Sequence, residues 1–129
     1  MDSFKLEFFE PQLPPTVNAM GRWHWARKVK VSKLWNQIVL YHLSAADVFK
    51  HRHLQAPLDR AKLTLVRCSS VEPDYDGLVS SFKVVIDALR HNHILADDKV
   101  QNIGVPTYVW EKASPGKGGV KVVVEAEST

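Results

Sequence analysis

AKLTLVRCSSVEPDYDGLVSSFKVVIDAL, residues 61–89, contains the change of period that decides the fold. Its first eight residues, Ala61–Cys68, set Leu63 and Leu65 beside the β-branched Thr64 and Val66, which is strand composition. Glu72-Pro73 ends that run. Leu78, Phe82, Val85, Ile86 and Leu89 then recur at the spacing of one helical face. A strand leading through a short loop into an amphipathic helix predicts a layered arrangement of sheet and helix.

Upstream, Phe4, Leu6 and Phe8 alternate with Lys5 and Glu7, predicting a first strand. Pro11, Pro14 and Pro15 end it and open an extended loop through Asn18 and Gly21. From Trp25 to Phe49 the period is helical, with Val31, Leu34, Trp35, Ile38, Val39 and Tyr41 near a 3.6-residue repeat. Downstream, Val100–Trp110 and Val120–Ala126 read as two closing strands, paired as a hairpin across Ser114-Pro115-Gly116-Lys117-Gly118-Gly119. The expected order is β-α-β-α-β-β, a single α/β (α+β) domain over residues 1–129 with one mixed sheet packed with two helices. A chain of 129 residues can bury a core of its own.

With 45% hydrophobic and 24% charged residues, the composition is that of an ordinary globular protein. No apolar run approaches the ~18 residues of a membrane span, so no membrane partner is expected. Met1-Asp2-Ser3-Phe4-Lys5 lacks the basic and apolar regions of a signal peptide. Cys68 is the only cysteine and has no intrachain partner, which suits a reducing, cytoplasmic setting.

The distribution of charge is more informative than the net value of +3. Pro11 to Ala46 contains no acidic residue but includes Arg22, Arg27, Lys28, Lys30 and Lys33; such a stretch can neutralise phosphates. Glu72 to Asp98 reverses the balance, with Glu72, Asp74, Asp76, Asp87, Asp97 and Asp98 against Lys83 and Arg90. Carboxylates repel a polyanion unless a cation sits among them, so the two stretches together point to metal-dependent chemistry on a polyanion. Two unrelated solvated faces would give the same pattern.

Asp74-Tyr75-Asp76 falls between strand and helix, and Asp97-Asp98 arrives after that helix. Mg²⁺ takes carboxylate, water and phosphate oxygens. Two aspartates at i and i+2 in extended chain point oppositely, so both reach one ion only where the chain turns; Gly77 permits that turn. Asp76 equally suits an N-cap for a helix beginning near Gly77. His51-Arg52-His53 and His91-Asn92-His93 have no cysteine partners and no finger-like spacing, and read as exposed loop histidines rather than zinc ligands.

Asp74-Tyr75-Asp76-Gly77-Leu78, Phe82-Lys83, Ile86-Asp87-Ala88-Leu89 and Ile94-Leu95-Ala96-Asp97-Asp98-Lys99-Val100, in that order, resemble the core signature of RusA Holliday-junction resolvases. Leu13-Pro14-Pro15-Thr16-Val17-Asn18 resembles that family's early proline segment. The resemblance implies a small homodimeric, Mg²⁺-dependent endonuclease (Mn²⁺ substituting) that cuts four-way DNA symmetrically, of bacterial or phage origin. Its catalytic and metal-holding aspartates fall on Asp74, Asp76 and Asp98, and its essential lysine on Lys83. Two departures stand out. Gly77 occupies the usual position of an asparagine. Three residues around Val79-Ser80-Ser81 lengthen the interval between Asp76 and Lys83. Inside a continuous helix they would turn Lys83 by about 300° and carry it about 4.5 Å along the axis; bulging before the helix, they would leave Lys83 in its place.

In such an enzyme Lys83 would stabilise negative charge in the transition state; its other reading is an i,i+4 pair with Asp87. Arg22, Trp23, Arg27, Lys28, Lys30 and Lys33 form the expected DNA-contacting surface, with Trp23 placed to stack on an unpaired base. Trp35 is expected in the core. A junction-binding protein without catalysis is the rival function. A sugar-nucleotide transferase is a distant third, since the chain has no glycine-rich phosphate loop.

Overall fold

The computed structural model describes residues 4–16, 24–46 and 58–126. The elements run β1 (Lys5–Glu10), α1 (Trp25–Ala45), β2 (Ala61–Ser69), α2 (Tyr75–Ser81), α3 (Lys83–His91), α4 (Val100–Ile103), β3 (Thr107–Lys112) and β4 (Gly119–Ala126). They form one α+β unit with a four-stranded mixed sheet in the order β1-β4-β2-β3.

β2 lies inside the sheet because its side chains are apolar on both faces: Leu63 and Leu65 are fully buried, and Val66 nearly so. It pairs antiparallel with β4, Leu63 opposite Val124 and Leu65 opposite Val122, and parallel with β3. β1 closes the far edge against β4, with Leu6 opposite Val124 and Phe8 opposite Val122. Leu6, Leu63, Leu65, Val120, Val122 and Val124 thus form one apolar sheet face. The buried stripe of α1, Trp35, Ile38, Val39 and Leu43, joins the same core, as does α3 through Val84, Val85, Ile86, Ala88 and Leu89. Trp35 is in the core, as its sequence context predicts. Phe49 lies outside the described residues, and among them α1 ends at Ala45.

The expected hairpin does not form. β3 and β4 stand on opposite sides of β2, so their connection crosses the end of that strand. The side chains explain the order. β3 has no fully buried position and suits a sheet edge, whereas β4 buries Val120, Val122 and Val124 and takes an interior place. The expected strand from Val100 also begins later, at Thr107. Val100–Ile103 is a single helical turn, ended by Gly104 at φ 60° and ψ −145°, a conformation that glycine adopts without strain.

The single expected second helix is two. Phe82, fully buried, separates α2 from α3; its N–H donates to the Val79 carbonyl at 3.2 Å, and its own carbonyl accepts from Ile86 at 2.9 Å. The hydrophobic period runs through the break, which hides it in the sequence. Beyond α3, Leu58 and Leu95 form an isolated parallel bridge. Leu58 N–H donates to the Ile94 carbonyl at 2.7 Å, and Ala96 N–H donates to the Leu58 carbonyl at 3.0 Å. That bridge holds the loop carrying Asp97 and Asp98. Among the described residues no helix is long and apolar enough to cross a membrane.

Candidate functional site

α3 opens with Lys83, whose position follows from the break at Phe82. Lys83, Asp87 and Arg90 stand at i, i+4 and i+7, one stripe along the exposed side of the helix. The loop after α3 brings Asp97 and Asp98 back against that stripe. Lys83 Nζ donates to Asp87 Oδ1 at 3.1 Å and to Asp98 Oδ2 at 3.3 Å. Arg90 Nη1 lies 3.8 Å from Asp97 Oδ1 and 4.0 Å from Asp98 Oδ1, and Lys99 Nζ lies 3.8 Å from Asp97 Oδ2. Asp97 Oδ1 also accepts the Asp98 N–H at 2.7 Å, fixing the turn between the two.

These contacts set the charge states. Hydrogen bonding from Lys83, above all, holds the Asp98 carboxyl below the usual carboxylate range, with Asp97 and the Arg90 charge adding to it against slight desolvation. Lys83 is raised in turn, first by its hydrogen bond to Asp87, then by the charges of Asp87 and Asp98. Asp98 is therefore anionic and Lys83 cationic throughout the neutral range.

Asp74 does something the sequence reading gave to Asp76. It is the N-cap of α2, its Oδ1 accepting the Gly77 N–H at 2.8 Å, while Asp76 lies exposed in the first turn. The glycine at 77 now has a local reason: a β-carbon there would stand 2.5 Å from Asp74 Oδ1, in the space the capping carboxylate fills.

Tyr75, between the two aspartates, is exposed and joins Lys83 and Asp98 around a groove of about 430 Å³, with Tyr108 behind them. Burial, with the added effect of Tyr75, raises the Tyr108 hydroxyl above its ordinary pKa. Tyr75 of the D-x-D segment and Asp98 of the second aspartate pair thus border one groove, which Asp74, Asp76 and Asp97 do not line. Among the described residues, however, no three histidine, cysteine, aspartate or glutamate side chains are grouped to hold one metal ion, so Asp74, Asp76 and Asp98 do not form a single ligand set.

Arg27, Lys30 and Lys33 are exposed on α1 and Lys28 is half-buried, whereas Arg22 and Trp23 lie outside the described residues, as do His51 and His53. Arg90, Tyr75 and Tyr108 were not singled out from sequence. Arg90's spacing from Lys83 was the available signal, since i and i+7 share a helical face. Neither a protein-family model nor a curated protein matches the chain.

Proposed function

We propose that the chain is a divalent-metal-dependent endonuclease acting on branched DNA, of the kind that resolves four-way junctions by phosphodiester hydrolysis, working as a cytoplasmic homodimer in bacterial or phage DNA recombination and repair. The observation that carries this reading is the contact of Lys83 with Asp98 at 3.3 Å. It joins two pieces of the RusA-like signature fifteen residues apart, beside a groove that also carries the residue between Asp74 and Asp76.

The donor set suits a hard cation in kind: Asp98 is ionised, and Asp76 is exposed in the first turn of α2. As they stand, Asp74, Asp76 and Asp98 are not grouped around one point; to hold Mg²⁺ or Mn²⁺ they would have to draw together as the ion binds, with Asp74 retaining one oxygen on its cap. The ion, when bound, supplies a polarised phosphate and a bound water of lowered pKa. Lys83 holds its proton and places positive charge next to Asp98, where negative charge on a phosphate grows during hydrolysis. Arg90 keeps Asp97 and Asp98 from repelling an approaching strand, and α1 offers Arg27, Lys28, Lys30 and Lys33 to the backbone.

A second reading, junction binding without cleavage, is favoured by the capping role of Asp74 and the ungrouped carboxylates. Incubating the protein with Mg²⁺ and a synthetic four-way junction beside linear duplex separates the two. Paired nicks at the junction, absent from the duplex, support the nuclease. Binding with no cleavage in either Mg²⁺ or Mn²⁺ supports the second reading.

A further inference from the structure

The far end of α3 has a cleft of its own against α1, about 470 Å³ in volume and lined by Ser32, Asn36, Asp87, Arg90, His91 and His93. Each of its lining residues carries a polar group, most of them able to donate a hydrogen bond, although apolar atoms make up the larger part of the wall. Ser32 and Asn36 lie at i and i+4 on α1, with Lys28 one turn further along the same row. The one carboxylate, Asp87, already accepts from Lys83. The cleft is fixed in shape, because Asn92 Nδ2 donates both to the Asn36 carbonyl at 3.1 Å and to the Ala88 carbonyl at 2.9 Å, tying the end of α3 to α1.

His93 marks the cleft independently. The Ile94 N–H donates to the Leu89 carbonyl and the His93 N–H to the Arg90 carbonyl, the paired bonds that close a helix through a left-handed residue. His93 is that residue, at φ 62°, and it is the only non-glycine with positive φ among the described residues. Glycine fills such a position without strain, whereas a side chain does not. Carried on that left-handed residue, the His93 imidazole lines the cleft beside the Arg90 guanidinium and the His91 imidazole. Asp87, His91 and His93 are not grouped as a metal ligand set, whereas the donors of Ser32, Asn36 and Arg90 around the cleft suit an anion.

We propose that this cleft binds one backbone phosphate of the DNA strand, next to the phosphate at Lys83 and Asp98. The guanidinium of Arg90 offers paired N–H donors matched to a phosphate, and the Ser32 hydroxyl, the Asn36 amide and the imidazoles complete the shell. Arg90 also reaches Asp97 and Asp98, so the anchored phosphate and the candidate site share one side chain. The identity of the ligand as DNA rests on the nuclease reading; the cleft itself does not.

The test is junction binding by fluorescence anisotropy, in chelator and over a range of salt, for the full chain and three variants. Asn36→Asp puts a negative charge in the cleft and should weaken binding about tenfold, lowering the slope of log K against log salt by about 0.9, the value of one phosphate contact. His93→Gly should weaken binding two- to threefold without lowering the melting temperature, because glycine suits the backbone there. Ser44→Asp puts the same charge on the same helix about 12 Å away, beyond a Debye length, and should stay within twofold of wild type. Asn36→Asp binding as wild type does, or no more weakly than Ser44→Asp, overturns the cleft and leaves the nuclease reading standing. Wild type that binds neither junction nor duplex overturns both.

Discussion

Lys83 and Asp98 meet at 3.3 Å only because the helix between Tyr75 and His91 is broken at Phe82. An unbroken helix would have fixed the direction of Lys83 by counting from Asp76. The break lets α3 begin afresh, with Lys83 at its first position. Lys83→Gln should therefore lose junction cleavage by two orders of magnitude or more, while junction affinity falls much less. Its ion pairs are exposed, so urea unfolding should shift by no more than about 0.5 kcal/mol. Cleavage at the wild-type rate would make the lysine a surface pair and nothing else.

Asp74 has a capping role and a proposed metal role, and two substitutions pull them apart. Asparagine keeps an oxygen for the Gly77 N–H, so Asp74→Asn should hold stability and lose Mg²⁺-dependent cleavage, as should Asp76→Asn and Asp98→Asn. Asp74→Ala should lose cleavage and also about 1 kcal/mol of stability with the cap. Equal stability of the two Asp74 variants in denaturant would show that the cap contributes nothing.

Gly77→Ala sets two effects of similar size against each other. Alanine gains up to about 1 kcal/mol over glycine inside a helix, and displacing the Asp74 carboxylate forfeits about 1 kcal/mol of cap. The net change in stability should be small. The Asp74 carboxylate must nevertheless move, because the new β-carbon would stand 2.5 Å from its Oδ1. An altered cleavage rate at unaltered melting temperature is the expected signature; a fall of several degrees would mean that the carboxylate cannot move aside.

The acid limb of stability carries the mark of Asp98. Its folded pKa is depressed, chiefly by Lys83, below the ~3.9 of an unfolded aspartate. Its stabilisation is therefore fully present above that unfolded value and is lost as pH falls through the folded one. Lys83 behaves oppositely: its pKa is raised, so its contribution holds below the unfolded lysine value and fades as pH rises through the folded one. Denaturation midpoints of wild type and Asp98→Asn should differ at neutral pH and converge in strong acid. A constant gap across the acid range would show that the depression is absent in solution.

The protein should be a two-fold dimer, since symmetric resolution of a junction needs two equivalent sites. β4 is interior to the sheet, so of the two closing strands only β3 has a free edge to offer a partner. Light scattering during size-exclusion chromatography should give twice 14.6 kDa; a value at 14.6 kDa refutes the stable dimer.

Local patterns were legible where one face of an element is buried. The alternation around Leu63 and Leu65 and the spacing of Trp35, Ile38 and Val39 identified β2 and α1 before any coordinates. Strand order was not legible, because Val122 opposite Leu65 is a pairing across more than fifty residues that no local window encodes. The helix break at Phe82 is not legible, because a one-residue interruption leaves the hydrophobic period nearly intact. Lys83 is legible as a charge-stabilising residue or as an i,i+4 partner of Asp87, but its joining of Asp87, Arg90 and Asp98 is not, since the loop that returns Asp98 to the helix is a tertiary event. Charge asymmetry marked both the acidic segment from Glu72 to Asp98 and α1, but it could not show that Asp74 spends one oxygen on the backbone.

The bridge between Leu58 and Leu95 gives the acidic loop a fastening remote in sequence. The loop cannot open without releasing two backbone hydrogen bonds and exposing two buried leucines. The amides of Leu58 and Ala96 should therefore exchange with deuterium together, as one opening unit. A cavity made by Leu58→Ala should speed that exchange and loosen Asp98 relative to Lys83.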